Sequence, residues 1–334
     1  MRLLVTGGAG FIGSNFIRYW LKKYPTDSIV NLDKLTYASN IAATEDFKDS
    51  PNYQFIHGDI CDITLVDKVM AKVNTVVHFA AETHVDRAIE NPRIFLETNV
   101  IGTHTLLESA KKYGVGRFHH ISTDEVFGEL SLESKEKFNE ESRHNPRSPY
   151  AASKSASDEL ALSYYCTYNL PVTITNSSNN YGPYQSPEKF IPRAITDLLD
   201  SKPIKLYGDG KYVRDWIYVE DHIEAIDLVI KRGKVGEAYV VGGQTDEISN
   251  REVAEMLLEI LGKPKKLITY VNDRPGHDRK YAVDWTKIKR GLGWKPKSDF
   301  RNWLEKTAKW YSNNRPYWEA QKVKTEEFYA KINR

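Results

Sequence analysis

The chain has 334 residues, 40% hydrophobic and 28% charged, enough for a large core and roughly two domain-sized lobes. With 47 basic and 45 acidic residues the net charge is +2, which gives no electrostatic case for binding nucleic acid. The two cysteines, Cys61 and Cys166, stand in no disulfide or zinc spacing, and no apolar run reaches the ~18–20 residues of a membrane span. The expectation is a cytoplasmic protein without a metal or a membrane segment.

The first half alternates short β-branched runs with longer amphipathic stretches. Residues 2–6 (RLLVT) predict a strand and 11–24 a helix. Strands follow at 28–33 (SIVNLD) and 53–58 (YQFIHG), then a helix at 62–72. The strand at 74–80 (NTVVHFA) precedes a helix at 94–113, and the strand at 117–122 (RFHHIS) precedes one at 149–167. Residues 171–176 (PVTITN) predict a sixth strand. This alternation implies right-handed βαβ units and an α/β fold, a doubly wound parallel sheet of Rossmann type. The second half carries amphipathic helices at 188–200, 218–233, 249–262 and 299–314 with short strands between. These are expected to build a smaller mixed α/β lobe. The division is placed near residue 180: 1–180 forms a dinucleotide-binding domain to which later segments return, and 181–334 is mainly a cap.

In LLVTGGAGFIGSNF, Gly7, Gly10 and Gly13 fall between the first strand and the first helix. One glycine lets the chain reverse, one lets backbone approach a pyrophosphate at the helix N-terminus, and one lets helix and strand pack closely. The spacing is G-x-x-G-x-x-G rather than G-x-G-x-x-G, so its weight comes from the strand before it and the helix after it. Asp33 closes the second strand, twenty residues after Gly13. An acid there can take both hydroxyls of an adenosine ribose and repels a 2′-phosphate, favouring NAD over NADP, while Lys34 works against that preference. Asp59 is either a receptor for the adenine amino group or a turn aspartate.

The stretch FHHISTDEVFG (118–128) sets two carboxylates side by side at the end of the fifth strand. In a continuing strand Asp124 and Glu125 would point to opposite faces. Ligands of doubly wound sheets bind beyond the carboxyl ends of the strands. The strand is therefore expected to stop at Ser122 or Thr123 and turn both carboxylates into one pocket. In SPYAASKS, Tyr150 and Lys154 sit at i, i+4 on one helix face. A lysine one turn away is expected to lower the phenol pKa, so that the tyrosine acts as a base near neutral pH.

Together with LDKLTYASN, HFAAETHVDRAI, NSSNNYGPYQ, EKFIPRAI, LYGDGKYVRDWIYVEDH and DRPGHDRKYAVD, these motifs resemble the extended short-chain dehydrogenase/reductases. Within them the chain resembles the dTDP-glucose 4,6-dehydratase family along almost its whole length. Ser177 stands where cysteine is expected and Phe190 where leucine is commoner. The final stretch, EAQKVKTEEFYAKINR, matches no family motif and reads as a charged terminal helix.

The resemblance implies an enzyme that keeps NAD tightly bound and converts dTDP-glucose to dTDP-4-keto-6-deoxyglucose. C4 is oxidised, water leaves across C5–C6, and hydride returns to C6. It implies that Tyr150, supported by Lys154, takes the C4 hydroxyl proton and that Thr123 hydrogen-bonds the C4 oxygen. Glu125 is then the base for C5–H and Asp124 the acid for the C6 hydroxyl. Those tasks need opposite protonation states, which repulsion between neighbouring carboxylates favours. Implied cofactor contacts are Gly7, Gly10, Phe11, Ile12, Gly13, Asp33, Lys34, Leu35, Thr36, Asp59, Ile60, Ala80, Ala81, Thr98, Tyr150, Lys154 and Asn180. Implied substrate contacts are Thr83, Thr123, Asn179, Lys189, Tyr207, Arg214, Asn250, Arg274 and His277. Arg214 is the first choice for the diphosphate and Arg274 the second, because the guanidinium fork suits phosphate. Tyr207 is the choice for stacking on the pyrimidine, and Trp216 reads as core. A homodimer is implied, formed by the helices at 94–113 and 149–167. Two alternatives stay open. A nucleotide-sugar 4-epimerase or decarboxylase shares the Tyr–Lys pair, but a 4-epimerase needs no carboxylate pair. A catalytically silent dinucleotide-sensing regulator typically lacks Tyr–Lys.

Overall fold

The computed structural model describes every residue except 245, 246, 274, 333 and 334. Among the described residues, seven parallel strands make the main sheet. They are β1 (Arg2–Thr6), β2 (Ser28–Asp33), β3 (Tyr53–His57), β4 (Thr75–His78), β5 (Arg117–Thr123), β6 (Val172–Ser177) and a later strand, Glu237–Val241. Across the sheet the order is β3, β2, β1, β4, β5, β6, Glu237–Val241. The order reverses between β1 and β4, and at such a switch point a crevice opens beyond the carboxyl ends of the strands.

Side-chain alternation explains the layering. Leu3 and Val5 of β1 face the first helix, Phe11–Lys23, where they meet Phe16, Ile17 and Trp20. Leu4 faces the other way, onto Val66 and Met70 of the helix Ile63–Met70 and Leu106 of Thr103–Lys112. Both faces of the sheet are thus dry around β1, which is why its central strands are rich in apolar residues. Later chain completes this unit. The helix Val219–Arg232 packs Ile223, Ile226 and Ile230 against Leu3 and Val5, and Glu237–Val241 pairs with β6 from Thr173 to Ser177.

A second core gathers the helices Phe190–Leu199, Asn250–Ile260 and Phe300–Asn313 around Tyr181, Trp216 and Trp318. The terminal stretch forms the helix Arg315–Lys331. Its nearly buried Lys322 pairs with Asp197 (3.0 Å) and Asp200 (2.8 Å) on and just beyond Phe190–Leu199.

One expected helix is built differently. In place of a single helix over 94–113, the chain runs as Pro92–Phe95, a π-helical stretch Leu96–Gly102, and Thr103–Lys112. The wider turn belongs to Asn99, which is 1% exposed. Its amide donates to the Glu82 carbonyl (3.0 Å) and the Ser153 hydroxyl (2.9 Å), and its oxygen accepts from the Glu82 N–H (2.8 Å). Such bulges commonly mark functional sites, and here it locks the end of β4 to the helix Pro149–Tyr168.

Candidate active site

β1 ends at Thr6 and the chain reverses at Gly7, where φ is +71°. A Cβ there would stand 2.6 Å from the Ala80 nitrogen, so only glycine lets this turn lie against the end of β4. A Cβ on Gly13 would meet the Gly7 carbonyl oxygen at 2.4 Å. Gly10 is the N-cap of the first helix, with no side-chain cap, and the first turn holds no acid. The first-turn N–H groups are left for an anion, which the helix dipole also favours. Gly7, Gly10, Phe11, Ile12 and Gly13 line one deep cleft together with Asp33, Lys34, Thr36, Asp59, Ile60, Ala80, Ala81, Thr98 and Asn180. A dinucleotide fits this cradle.

Asp33 is 4% exposed, and its neighbours already hold its carboxylate. It accepts from Ala9 N (2.9 Å), Leu35 N (2.8 Å) and the Ser39 hydroxyl (2.8 Å). A carboxylate offers about four acceptor sites, so about one is left for a ribose hydroxyl rather than the two that the sequence suggests. Leu35 contributes its backbone. Its φ is +55°, its side chain is exposed, and it lies off the cleft wall. Lys34 and Asp59 form an ion pair at 2.6 Å. Against the pull of burial, that pair and the Cys61 N–H lower the Asp59 pKa. The cation set against NAD in the sequence reading is therefore engaged by the acid offered to adenine.

At the other end of the cleft β5 stops at Thr123, as expected, and Asp124–Phe127 forms a 3-10 turn. Thr123 caps it: its hydroxyl accepts from the Glu125 N–H (3.3 Å) and donates to Asp124 Oδ1 (3.3 Å). Thr123, Glu125, Tyr150 and Lys154 line the cleft together with Thr83, Asn179 and Lys189. Lys189 donates to the Thr83 hydroxyl at 3.1 Å. Asp124 departs from the expectation. It is fully buried behind the wall rather than on it, and its Oδ2 has no hydrogen-bond partner among the described residues.

Several expected substrate residues lie away from this wall. Arg214 is 6% exposed and donates to the carbonyls of Val213 (2.8 Å) and Asp278 (2.9 Å). Its charge acts on Asp124 instead. Tyr207 points its hydroxyl at Asp86 Oδ2 (3.4 Å), and its ring meets the edge of His277, itself stacked on Tyr212 at 3.8 Å. Asn250 starts its helix with its side-chain oxygen buried. Arg274 lies outside the described residues. Trp216 is buried in the second core, as expected.

Residues 4–307 match the family model for GDP-mannose 4,6 dehydratase. A dTDP-glucose 4,6-dehydratase of Haemophilus influenzae is 46% identical, over 94% of this chain and 98% of that one. One from Streptomyces niveus is 47% identical over 96% of each. The crystal structure of DesIV, a dTDP-glucose 4,6-dehydratase from Streptomyces venezuelae with NAD bound, superposes with a TM-score of 0.93 at 48% identity, over 96% of this chain and all of that one. The chain belongs to the dTDP-glucose 4,6-dehydratase family. A UDP-glucose 4-epimerase structure from Thermotoga maritima shares the fold at a TM-score of 0.87 but only 29% identity.

For a 4,6-dehydratase the electrostatics of the carboxylate pair matter most. Burial first, then the Glu125 charge and Asp215, push the Asp124 pKa well above the ordinary carboxylate range, against Arg214 and the Thr123 hydroxyl. The rise at Asp124 is thus driven mainly by burial, with the repulsion of Glu125 second. Tyr150 corrects the sequence reading. Burial and the Glu125 charge raise its pKa, opposed by the Thr83 hydroxyl. Lys154 donates to the Ile121 carbonyl (2.8 Å), and its own pKa is lowered by burial to about 8.

Sequence reasoning missed Tyr37, Glu82, His84 and Glu188, all on the cleft wall. All four flank residues it chose: Tyr37 follows Thr36, Glu82 and His84 bracket Thr83, and Glu188 precedes Lys189. Contiguity with those motifs was the available signal. Burial pushes the Glu82 carboxyl up, against Tyr37 and Lys34.

Proposed function

We propose that this protein is an NAD-dependent dTDP-glucose 4,6-dehydratase, a lyase giving dTDP-4-keto-6-deoxyglucose. The observation that carries this is the turn after β5. It buries Asp124, its Oδ2 without a hydrogen-bond partner among the described residues, while setting Glu125 on the cleft wall with Tyr150. A 4-epimerase has no task for that pair.

The glycine turn and the N-terminus of the first helix hold the pyrophosphate of NAD, Asp33 takes a ribose hydroxyl, and Tyr150, Lys154 and Asn180 stand at the nicotinamide end. NAD, when bound, accepts hydride from C4 and returns it to C6. Tyr150 Oη takes the proton from the C4 hydroxyl, and Thr123 Oγ1 hydrogen-bonds the C4 oxygen. With C4 a ketone, the C5 proton is acidic; ionised Glu125 removes it and, once hydride has reached C6, gives a proton back to C5. Asp124, in its proton-bearing form, gives its proton to the departing C6 oxygen. Thr123, at 3.3 Å, is the group through which Asp124 faces the cleft. Thr83, Asn179 and Lys189 orient the sugar, while Tyr207, Asn250 and His277 serve the nucleotide, as does Arg274, which lies outside the described residues.

The lobes divide near residue 180, with the segment from 219 to 241 returning to the first. The chain pairs with a second copy through the helices around 92–112 and 149–168. Exposed Leu96 (53%), Ile101 (55%) and Tyr168 (50%) support that surface. Cys61 and Cys166 are free thiols, in keeping with the cytoplasm. No helix among the described residues is long and apolar enough to cross a membrane.

Incubating purified protein with dTDP-, UDP-, CDP- and GDP-glucose side by side tests this. A product lighter by one water, with the alkaline ultraviolet absorbance of a 4-keto sugar, is expected from dTDP-glucose. Unchanged nucleotide sugar contradicts it. The thymine methyl is worth only about 1–3 kcal/mol in a pocket, so UDP-glucose is the informative competitor.

A further inference from the structure

Two turns beyond Tyr150 and one beyond Lys154, the same face of Pro149–Tyr168 carries Asp158, which is 1% exposed. The Tyr–Lys motif passes over this acid. Its Oδ2 accepts from the Ser122 hydroxyl on β5 (2.7 Å) and the Asn176 amide on β6 (2.9 Å). The same amide reaches the Thr123 carbonyl at 3.4 Å. Asp158 Oδ1 lies 3.2 Å from His120 Nε2 and has no hydrogen-bond partner among the described residues. That imidazole nitrogen is also 3.3 Å from Lys154 Nζ. His120 therefore stands between ammonium and carboxylate.

The groups around Lys154 can be named element by element. His120 and the Ile121 carbonyl come from β5, and His78 from β4, its ring 5.2 Å from that of His120. Tyr150 and Asp158 come from its own helix, and β6 supplies the uncharged Asn176. Burial holds both imidazoles far below their ordinary pKa, so they are neutral at neutral pH. Among the described residues Asp158 is the acid that opposes the effect of burial on Lys154. A buried ammonium without a counter-charge gives up its proton instead.

We propose that Asp158 is a positioning residue for the dehydration. Its carboxylate is the buried counter-charge that, with His120 between, seats the Lys154 ammonium at the cofactor end of the cleft. Its bonds to Ser122 and Asn176 pin the end of β5 that carries Thr123, Asp124 and Glu125. The proposal rests on the role given to Lys154 above.

Asp158→Asn removes the charge with little change of shape. Its oxygen keeps Ser122 and Asn176, and its uncharged amide takes the place of Oδ1 beside His120. The alkaline limb of kcat for dTDP-glucose is expected to move to lower pH by about one to two units, and an unmoved limb overturns the proposal. A second measurement needs no activity. The thermal midpoints of Lys154→Met, Asp158→Asn and the double variant form a cycle. Each single variant strands a buried charge and the double removes both, so the double is expected to be at least as stable as either single. Additive losses, or a double that fails to fold, overturn the pairing and leave Asp158 serving only Ser122 and Asn176. If Asp158→Asn alone does not fold, a double variant that folds still shows the pairing, and one that does not overturns it. The cycle is separate from the dehydratase reading, whose failure shows as no loss of water with the unaltered protein.

Discussion

Asp124→Asn is expected to make this protein more stable and nearly inactive as a dehydratase. Asp124 is fully buried, with Oδ2 unpartnered among the described residues and Glu125 next in the chain. Burial, then Glu125, hold its folded pKa well above the ordinary range. A group raised in this way contributes stability that is whole below its unfolded pKa, about 3.9, and is lost as pH rises toward the folded value. In that window the folded protein holds one proton that the unfolded chain releases. The wild type therefore loses up to about 1.4 kcal/mol per pH unit relative to a variant that does not titrate. Asparagine keeps the shape and the contact with Thr123, so the gap between variant and wild type should open above about pH 4 and widen with pH. Urea unfolding followed by tryptophan fluorescence at a series of pH values measures it. A gap constant with pH would show Asp124 ionised in the folded protein and remove it as the acid. Turnover of the same variant should fall by about 10²–10⁴-fold, the usual worth of one general acid.

Glu125→Gln should still oxidise C4, seen as nicotinamide absorbance on mixing, but lose solvent-deuterium exchange at C5; unchanged exchange removes Glu125 as the base. Gly7→Ala places a side chain at φ +71° and a Cβ 2.6 Å from Ala80 N. It should cost at least about 1–2 kcal/mol and release NAD during purification, and full nucleotide retention would contradict the cradle. Lys322→Met leaves Asp197 without its ammonium and Asp200 with Arg315 alone, so the loss should be about 1–3 kcal/mol, below that of a fully buried pair. An unchanged thermal midpoint would show that those ion pairs do not hold the terminal helix.

The first six strands were legible because a sheet buried on both faces must be written in apolar residues, and βαβ order follows from chain order. Glu237–Val241 was not assigned to that sheet. Its partner, β6, lies some sixty residues earlier, and no local pattern encodes so distant a pairing. The π-helical stretch was hidden for a similar reason: Asn99 bends its helix to reach Glu82 and Ser153, contacts that exist only after folding. Site residues clustered in motifs were brought together, as Gly7 to Gly13 and Thr123 to Lys154 show. Their protonation was less legible. The i, i+4 spacing of Tyr150 and Lys154 suggested a lowered phenol pKa, yet desolvation dominates at both residues. Arg214 reads as a phosphate ligand in sequence because burial leaves no mark on a charged motif.

The most direct test of the central claim uses dTDP-glucose deuterated at C4. If C4 oxidation, elimination across C5–C6 and hydride return occur in one site, the product is one water lighter and carries the deuterium at C6. Deuterium remaining at C4 of an intact nucleotide sugar, with or without inversion there, would contradict the account.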